Sequence, residues 1–130
     1  MKDRKVSDIM TTTVITAKPD MRLTDAIKLL LRWHISGLPV VDSGGELIGV
    51  LTEHDVLNFA FSGDAADTLV AEAMQKKVTT CKPDTPIEEV ANCFATHRIR
   101  RVPVVKGGKV IGIVSRRDIL REMNRIYDRF

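Results

Sequence analysis

The chain has 130 residues, and its 20 lysine and arginine residues against 17 aspartate and glutamate residues give a formal net charge of +3. This length suits one compact body with a hydrophobic core. Apolar runs stay well short of the ~20 residues that span a bilayer, and Met1-Lys2-Asp3 does not begin a signal peptide, so we expect a cytoplasmic protein without a membrane segment. Aromatic residues make up 5% of the chain, too few for a base-stacking platform, and we do not expect a nucleic-acid partner.

The sequence contains an internal repeat. From Val6 the chain reads VSDIMTTTVITAKPD, which aligns with VAEAMQKKVTTCKPD from Val70. Further on, ISGLPVVDSGGELIGVLTEHDVL from Ile35 aligns with IRRVPVVKGGKVIGIVSRRDIL from Ile99. We predict repeat 1 over residues 1–64 and repeat 2 over residues 65–130. At roughly 50–60 residues each repeat is near the lower limit for folding alone, so we expect the two to pack about a pseudo-two-fold axis with sites between them.

Each repeat is predicted to have the order β-α-β-β-α, which gives an α+β fold. In repeat 1 the predicted elements, in chain order, are a short strand at 13–16, an amphipathic helix at 23–34, strands at 37–41 and 47–51 joined by a tight hairpin, and a helix from Glu53. Repeat 2 has the same pattern, and its last helix starts at Arg116. Residues 65–74 are predicted to form a helical connector that opens repeat 2.

Two apolar surfaces and two cysteines remain after this assignment. The last helix carries a stripe, and the first long helix carries a pair off its main face: Ile119, Leu120, Met123, Ile126, Tyr127 and Phe130, then Leu29 and Trp33. These surfaces either complete the core or form a homodimer contact, and we expect a homodimer. Cys81 and Cys93 do not form a CxxC pair, so they indicate neither zinc nor redox chemistry and are interpreted as small apolar fillers.

Both hairpins end in the pattern Gly-apolar-apolar-Thr/Ser-x-x-Asp, at Gly49–Asp55 and at Gly112–Asp118. One interpretation is a helix cap, in which the hydroxyl and the carboxylate satisfy free backbone donors. The other is a nucleotide site, in which the carboxylate accepts hydrogen bonds from both ribose hydroxyls and the glycine leaves room for a ring near the backbone. The pattern alone leaves both interpretations open.

Catalytic motifs are absent from the sequence, which lacks GxxxxGK[ST], GxGxxG and HExxH. His54 stands beside Asp55, but neighbouring residues on a helix point about 100° apart and do not form a proton relay with one another. We therefore do not expect an enzyme or a metal site.

The paired pattern resembles a tandem CBS domain, or Bateman module, over nearly the whole chain. The resemblance rests on the V-S-D-I-M opening, the strands Ser36–Val41 and Arg100–Val105, and the two Gly-to-Asp endings. It implies a regulatory module that senses adenosine nucleotides (AMP, ADP or ATP) in clefts between the repeats and acts on a separate, unknown effector protein. S-adenosylmethionine is the less favoured ligand. One alternative is a structural dimerisation or docking module with vestigial clefts. A weaker alternative is nucleic-acid binding through an arginine cluster that consists of Arg98, Arg100, Arg101, Arg116, Arg117 and Arg121.

The resemblance also implies the residues of two clefts. The first is expected to use Asp118 with Ser115, lined by Ser7, Thr12, Ile35 and Ser36; the second is expected to use Asp55 with Thr52, lined by Lys76, Ile99, Arg100, Arg101 and Arg117. Ser36-Gly37 is uncharged where the other copy has two arginines, so we expect the two clefts to differ, with the Asp55 cleft preferring more phosphate.

Overall fold

The structure is a computed structural model, and it describes residues 3–59, 65–97 and 99–128. Both repeats contain helices and a β-hairpin, which confirms the predicted α+β fold class. The backbone divides into two compact units. The continuous unit is Ile15–Val78; the split unit joins the described residues before Ile15 to those from Thr79 onward. The predicted boundaries 1–64 and 65–130 describe the sequence duplication, whereas these units describe which residues pack together.

The elements follow in chain order. They are α1 (Val6–Ile9), α2 (Leu23–Trp33), β1 (Gly37–Val41), β2 (Leu47–Thr52), α3 (Glu53–Leu57), α4 (Val70–Ala73), α5 (Ile87–Thr96), β3 (Arg101–Lys106), β4 (Lys109–Ser115) and α6 (Arg116–Tyr127). The predicted long helices, hairpins and starts of the second helices are confirmed. Within the predicted connector at 65–74, only the four residues of α4 are helical. The residues on either side of α4, Leu69 and Met74, adopt extended conformations.

The two hairpins close through different turns. Between β3 and β4, Gly107 and Gly108 have φ angles of 58° and 81°, the left-handed conformation that a two-residue turn requires. Between β1 and β2, the Asp42 side chain accepts hydrogen bonds from the backbone N–H groups of Gly44 and Glu46, both at 2.9 Å. An Asx turn therefore accommodates the one extra residue of the first hairpin.

The strand predicted at 13–16 is absent, and one bridging residue takes its place. Ala17 donates its N–H to the Pro39 carbonyl and accepts from Val41 N–H, each at 2.9 Å, in a parallel bridge to β1. Extending this ladder toward Ile15 would require an N–H on Pro39, which proline lacks. Cys81 bridges β3 in the same way beside Pro103. The proline in each strand, Pro39 in β1 and Pro103 in β3, thus limits the parallel neighbour of that strand to one residue.

The segment that opens each repeat packs into the core of the other repeat. Val6 is fully buried among residues of repeat 2, and its N–H donates to the Thr85 carbonyl at 2.8 Å. Val70 is fully buried among residues of repeat 1, and its N–H donates to the Met21 carbonyl, also at 2.8 Å. Each core therefore draws on chain from both sides of the repeat boundary.

The same two segments cover the glycines of β2 and β4. A Cβ placed on Gly49 would lie 2.6 Å from Met74 Sδ and 2.8 Å from the Gln75 carbonyl oxygen. A Cβ placed on Gly112 would lie 2.5 Å from Met10 Sδ. The sequence analysis expected these glycines to leave room for a ligand ring. That expectation is wrong, because the methionine side chains occupy the space.

A buried carboxylate ties the start of the chain to α6. The Glu122 side chain is 1% exposed, and it pairs with Arg4 and Arg125. Arg4 approaches with Nε at 3.0 Å and Nη2 at 2.9 Å from Oε2. The hydrogen bond from Arg125, aided by the hydrogen bond and charge of Arg4, holds the pKa of Glu122 below its ordinary value. The sequence analysis did not identify this cluster.

The predicted apolar stripe of α6 divides between core and surface. Ile119 is buried, whereas Leu120, Met123 and Tyr127 are exposed. Trp33 on α2 is also exposed. Phe130, and Arg98 of the arginine cluster, lie outside the described residues. Within the part of the chain that the structure describes, every helix falls short of the length and apolar character needed to cross a membrane.

We predict that Gly49→Ala destabilises the fold by about 1–3 kcal/mol, because the added methyl group meets a backbone oxygen that cannot move aside without breaking its own hydrogen bond. Gly44→Ala is the matched control, since a Cβ there meets only Asp42 Oδ1, at 3.5 Å, and should change stability by less than about 0.5 kcal/mol. Urea unfolding measures both variants. Equal stability of the two would contradict the close approach at Gly49.

We predict that Glu122→Gln lowers stability near neutral pH by about 1–3 kcal/mol, between the values for exposed and buried ion pairs. Because the pKa of Glu122 is lowered on folding, its contribution is fully present above the unfolded value of about 4.3 and is lost as the pH falls through the folded value. The gap between wild type and variant should therefore close on acidification. The control is Glu46→Gln, at an exposed carboxylate, which should leave the decrease in stability at acidic pH as it is in wild type. A constant gap would contradict the ion pair.

Candidate functional site

Asp55 forms a complete capping box at the start of α3. Its Oδ2 accepts hydrogen bonds from the N–H and from the hydroxyl of Thr52, both at 2.9 Å, and the Asp55 N–H donates back to Thr52 Oγ1 at 3.3 Å. Its Oδ1 accepts a hydrogen bond from Gln75 Nε2 at 3.0 Å. The residue is 6% exposed. The carboxylate supplies an acceptor for the Thr52 N–H at the start of the helix, where backbone donors lack intrahelical partners.

Asp118 repeats this arrangement at the start of α6, with one different partner. Its Oδ2 accepts from the Ser115 N–H at 2.8 Å and from the Ser115 hydroxyl at 3.1 Å. Its Oδ1 accepts from Arg121 Nη1 at 3.0 Å, and the Arg121 side chain is 69% exposed. The cap interpretation is therefore confirmed at both aspartates, and each keeps one oxygen on the side away from its cap.

The residue just before β1 and the residue just before β3 each contribute a backbone acceptor to the cap of their own unit. Glu53 N–H donates to the Ser36 carbonyl at 2.9 Å, and Arg116 N–H donates to the Arg100 carbonyl at 3.2 Å. Arg101 stands opposite Ser115 in the β3–β4 pairing. The structure thus brings Ser36 to the Asp55 cap and Arg100 to the Asp118 cap, each within its own unit.

The two caps differ sharply in local charge. Four arginines lie along the segments that border the Asp118 cap: Arg100 just before and Arg101 at the start of β3, and Arg116 and Arg117 in the first turn of α6. Two of them flank Ser115 directly, Arg101 by strand pairing and Arg116 in sequence. The equivalent positions around Asp55 are Ser36, Gly37, Glu53 and His54. Phosphate oxygens prefer guanidinium groups, so the Asp118 cap offers the more favourable local environment for an anion.

The remaining predicted residues are distributed between the units. Lys76 in the continuous unit and Ser7, Thr12 and Arg117 in the split unit are exposed. Ile35 and Ile99 are half-buried and each packs against the core of its own unit. Each predicted cleft takes residues from both units, and these groupings stay predictions. Among the described residues, the structure brings together no group of three or more metal-ligating side chains.

Two residues at the caps escaped the sequence analysis. Arg121 lies three positions after Asp118 on a helix, a spacing at which opposite charges commonly pair, so the signal was available. Gln75 lies 20 positions after Asp55, directly after the connector, so no local pattern joins the two.

Comparison with known proteins agrees with this architecture. A family model for the CBS domain matches residues 6–62 and again residues 70–125. The chain belongs to the CBS-domain family, as a pair of CBS domains. It is 33% identical over 115 residues to the CBS domain-containing protein YhcV of Bacillus subtilis, covering 88% of this chain and 81% of that protein.

Solved structures of similar CBS pairs hold adenosine compounds. CBSX2 in complex with AMP matches with a TM-score of 0.85 and 29% identity, over 94% of this chain and 97% of that chain. The CBS domain pair of protein MJ0100, in complex with 5-methylthioadenosine and S-adenosyl-L-methionine, matches with a TM-score of 0.83 and 31% identity, over 95% and 98% of the two chains.

We predict that Asp55→Asn and Asp118→Asn keep the apo protein within about 1 kcal/mol of wild type, because an asparagine oxygen still accepts the cap hydrogen bonds. The corresponding alanine variants lose those bonds and should each cost about 1–2 kcal/mol. Thermal and urea unfolding of the four variants measure this difference. Asparagine variants that unfold as readily as the alanine variants would show that the negative charge, rather than the hydrogen bonds, holds each cap.

Proposed function

We propose that this CBS pair is a regulatory module that binds an adenosine nucleotide of the AMP, ADP and ATP class through Asp55 and Asp118. It acts by binding, passes its output to a separate effector protein, and catalyses no reaction. The observation that carries the proposal is the duplicated capping box, whose buried carboxylate presents Oδ1 away from the cap in both repeats. Similar CBS pairs that hold AMP or methylthioadenosine support the choice of adenosine compounds.

The carboxylates suit ribose recognition by their remaining acceptor capacity. A carboxylate oxygen can accept two hydrogen bonds, and Oδ1 of each aspartate accepts one, from Gln75 or from Arg121. Both partner residues are exposed, so their side chains can rotate away when a ligand arrives. The vicinal hydroxyls of a ribose supply two donors that replace them.

We infer that the arginines favour phosphate at the Asp118 cap. The sequence analysis grouped Arg100, Arg101 and Arg117 with Asp55, but the backbone of Arg100 and Arg101 borders Ser115 in the split unit. Di- and triphosphates should gain most from this basic surface. The sulfonium cation of S-adenosylmethionine should be repelled by it, which makes that compound the less favoured ligand.

The runner-up function is a dimerisation or docking module, favoured by the exposed apolar face of α6. Leu120, Met123 and Tyr127 recur at helical spacing, so they share one face of the helix, and that face is exposed. In this alternative the chain forms a homodimer or binds an effector without a ligand. Ligand titration separates the two functions, because only the sensor gains stability from an adenosine compound.

A calorimetric and thermal-shift panel of AMP, ADP, ATP, adenosine and S-adenosylmethionine tests the sensor and the arginine assignment together. At about 100 times the dissociation constant, a bound nucleotide should stabilise the fold by about 2.7 kcal/mol. In the Asp55→Asn background, Arg100→Ala should weaken ATP binding by about threefold to tenfold and adenosine binding far less. A charged hydrogen bond contributes about 1.5–3 kcal/mol when shielded from water and less at an exposed residue such as Arg100. In the Asp118→Asn background, Arg100→Ala should have little effect.

Lys109→Ala is the matched control, because Lys109 is an exposed cation at the opposite end of β4 from Ser115. Its ATP affinity should equal that of wild type. No stabilisation by any compound in the panel would leave the docking module as the better account. An Arg100→Ala effect confined to the Asp118→Asn background would return the arginines to the Asp55 site.

A further inference from the structure

A pocket of about 500 Å³ lies within the split unit, away from both caps in sequence. It is lined by the chain before α5, by α5 itself and by β3, at Thr79, Thr80, Cys81, Lys82, Thr85, Glu89, Val90, Cys93 and Val102. Both cysteines of the chain line this one pocket. The nucleotide proposal uses none of these residues.

Three residues that line the pocket are smaller and more polar than their counterparts in repeat 1. The residues of repeat 1 that align with Thr79, Thr85 and Cys93 are Ile15, Met21 and Leu29, and these three larger side chains pack against the core of the continuous unit. Their replacement by two hydroxyls and a thiol opens space in the split unit and makes its lining polar. A packing role alone would favour retaining the apolar residues.

The two thiols of the pocket differ in reactivity. Cys81 is buried, and its Sγ lies 3.8 Å from the Pro103 carbonyl that it donates to. Burial, followed by the negative charge of Glu89, raises its pKa to about 11. It therefore remains a protonated, unreactive thiol. Cys93 is half-buried on α5 and reaches the pocket. The interpretation as an apolar filler suits Cys81 and does not account for Cys93.

We propose that Cys93 is a modification site that forms a mixed disulfide with a small disulfide whose halves each carry an ammonium and a carboxylate group. The pocket then holds the attached half. Lys82 and Glu89 line it with opposite charges, which match a carboxylate and an ammonium, and the threonine hydroxyls line it with hydrogen-bonding groups. Its volume lies in the range of small-molecule sites.

The exchange needs no oxidant besides the small disulfide. The Cys93 thiol loses its proton to solvent, and the thiolate attacks one sulfur of the disulfide. The bond between Cys93 Sγ and that sulfur forms as the original S–S bond breaks. The other half leaves as a thiolate and takes up a proton. Cys93 is oxidised, and one half of the small disulfide is reduced to a thiol.

The test compares three disulfides on the reduced full-length chain: cystine, whose halves carry both charges, cystamine, which carries only ammonium groups, and dithiodiglycolate, which carries only carboxylates. Intact mass and peptide mapping follow the rate and position of modification in the native and the urea-unfolded chain. We expect one half-cystine on Cys93 in the native chain. We define the preference for cystine as its modification rate divided by the rate with one of the other two disulfides. This ratio should be larger in the native chain than in the unfolded chain by about threefold per charge contact, since such contacts are partly exposed.

Matched variants come from the other repeat. Cys93→Leu installs the leucine that aligns with Cys93 in repeat 1, fills the pocket and should abolish the native adduct. Cys81→Ala installs the alanine that aligns with the buried Cys81 and should leave the reaction at Cys93 unchanged. Lys82→Ala should lower the cystine preference about threefold. The proposal is overturned by modification of Cys81 first, by a Cys81–Cys93 disulfide as the sole product, by an unreactive native chain, or by equal preferences in the native and unfolded chains.

Discussion

The fold depends on the contact between a methionine and a glycine that the duplication has placed in different repeats. Met10 lies on Gly112 and Met74 lies on Gly49, each close enough to exclude a Cβ. Paired backbone hydrogen bonds at 2.9 Å fix both contacts, between Thr11 and Ile113 and between Val50 and Gln75. The segment that opens each repeat thereby completes the hairpin and the core of the other repeat. Neither repeat, as the sequence delimits it, contains its own complete core.

This exchange of segments also shapes the caps. Gln75, which follows Met74, donates to Asp55 Oδ1, so the chain directly after the connector reaches the first carboxylate. Asp118 instead pairs with Arg121 on its own helix, in a basic environment. Under the proposed function, a ligand that displaces Gln75 would disturb the chain beside the connector, whereas one that displaces Arg121 would release a surface side chain. The two caps have almost the same geometry but different partners for Oδ1.

The sequence predicted whatever is local and periodic. Helical spacing identified α2 and α6, glycines and the Asp42 turn identified both hairpins, and the Thr/Ser-x-x-Asp spacing identified both caps. Prediction from the sequence failed where a residue distant in sequence determines the local structure. Pro39 removes the one N–H that a strand at 13–16 would need, and Met74 fills the space above Gly49. The pairing of Glu122 with Arg4 joins residues 118 positions apart, and no local pattern announces it.

The clearest divergence between the repeats lies at positions that chemistry can use. Arginines replace Ser36 and Gly37 beside one cap, and Thr85 and Cys93 replace Met21 and Leu29 beside one core. Duplication supplied two equivalent scaffolds held by equivalent contacts, so later substitutions could change one site while the other kept its packing. The contacts of the exchanged segments are present in both halves, so each scaffold stays held together while other positions differ.

A double-mutant cycle on the full-length chain tests this exchange of segments most directly. Met10→Ala is combined with Gly112→Ala and, separately, with Gly49→Ala, and urea unfolding gives the free energy of each variant. Met10→Ala should relieve the strain of Gly112→Ala with a coupling of about 1 kcal/mol or more, and its effect should simply add to that of Gly49→Ala. Coupling of Met10 to Gly49, with additivity at Gly112, would contradict the exchange.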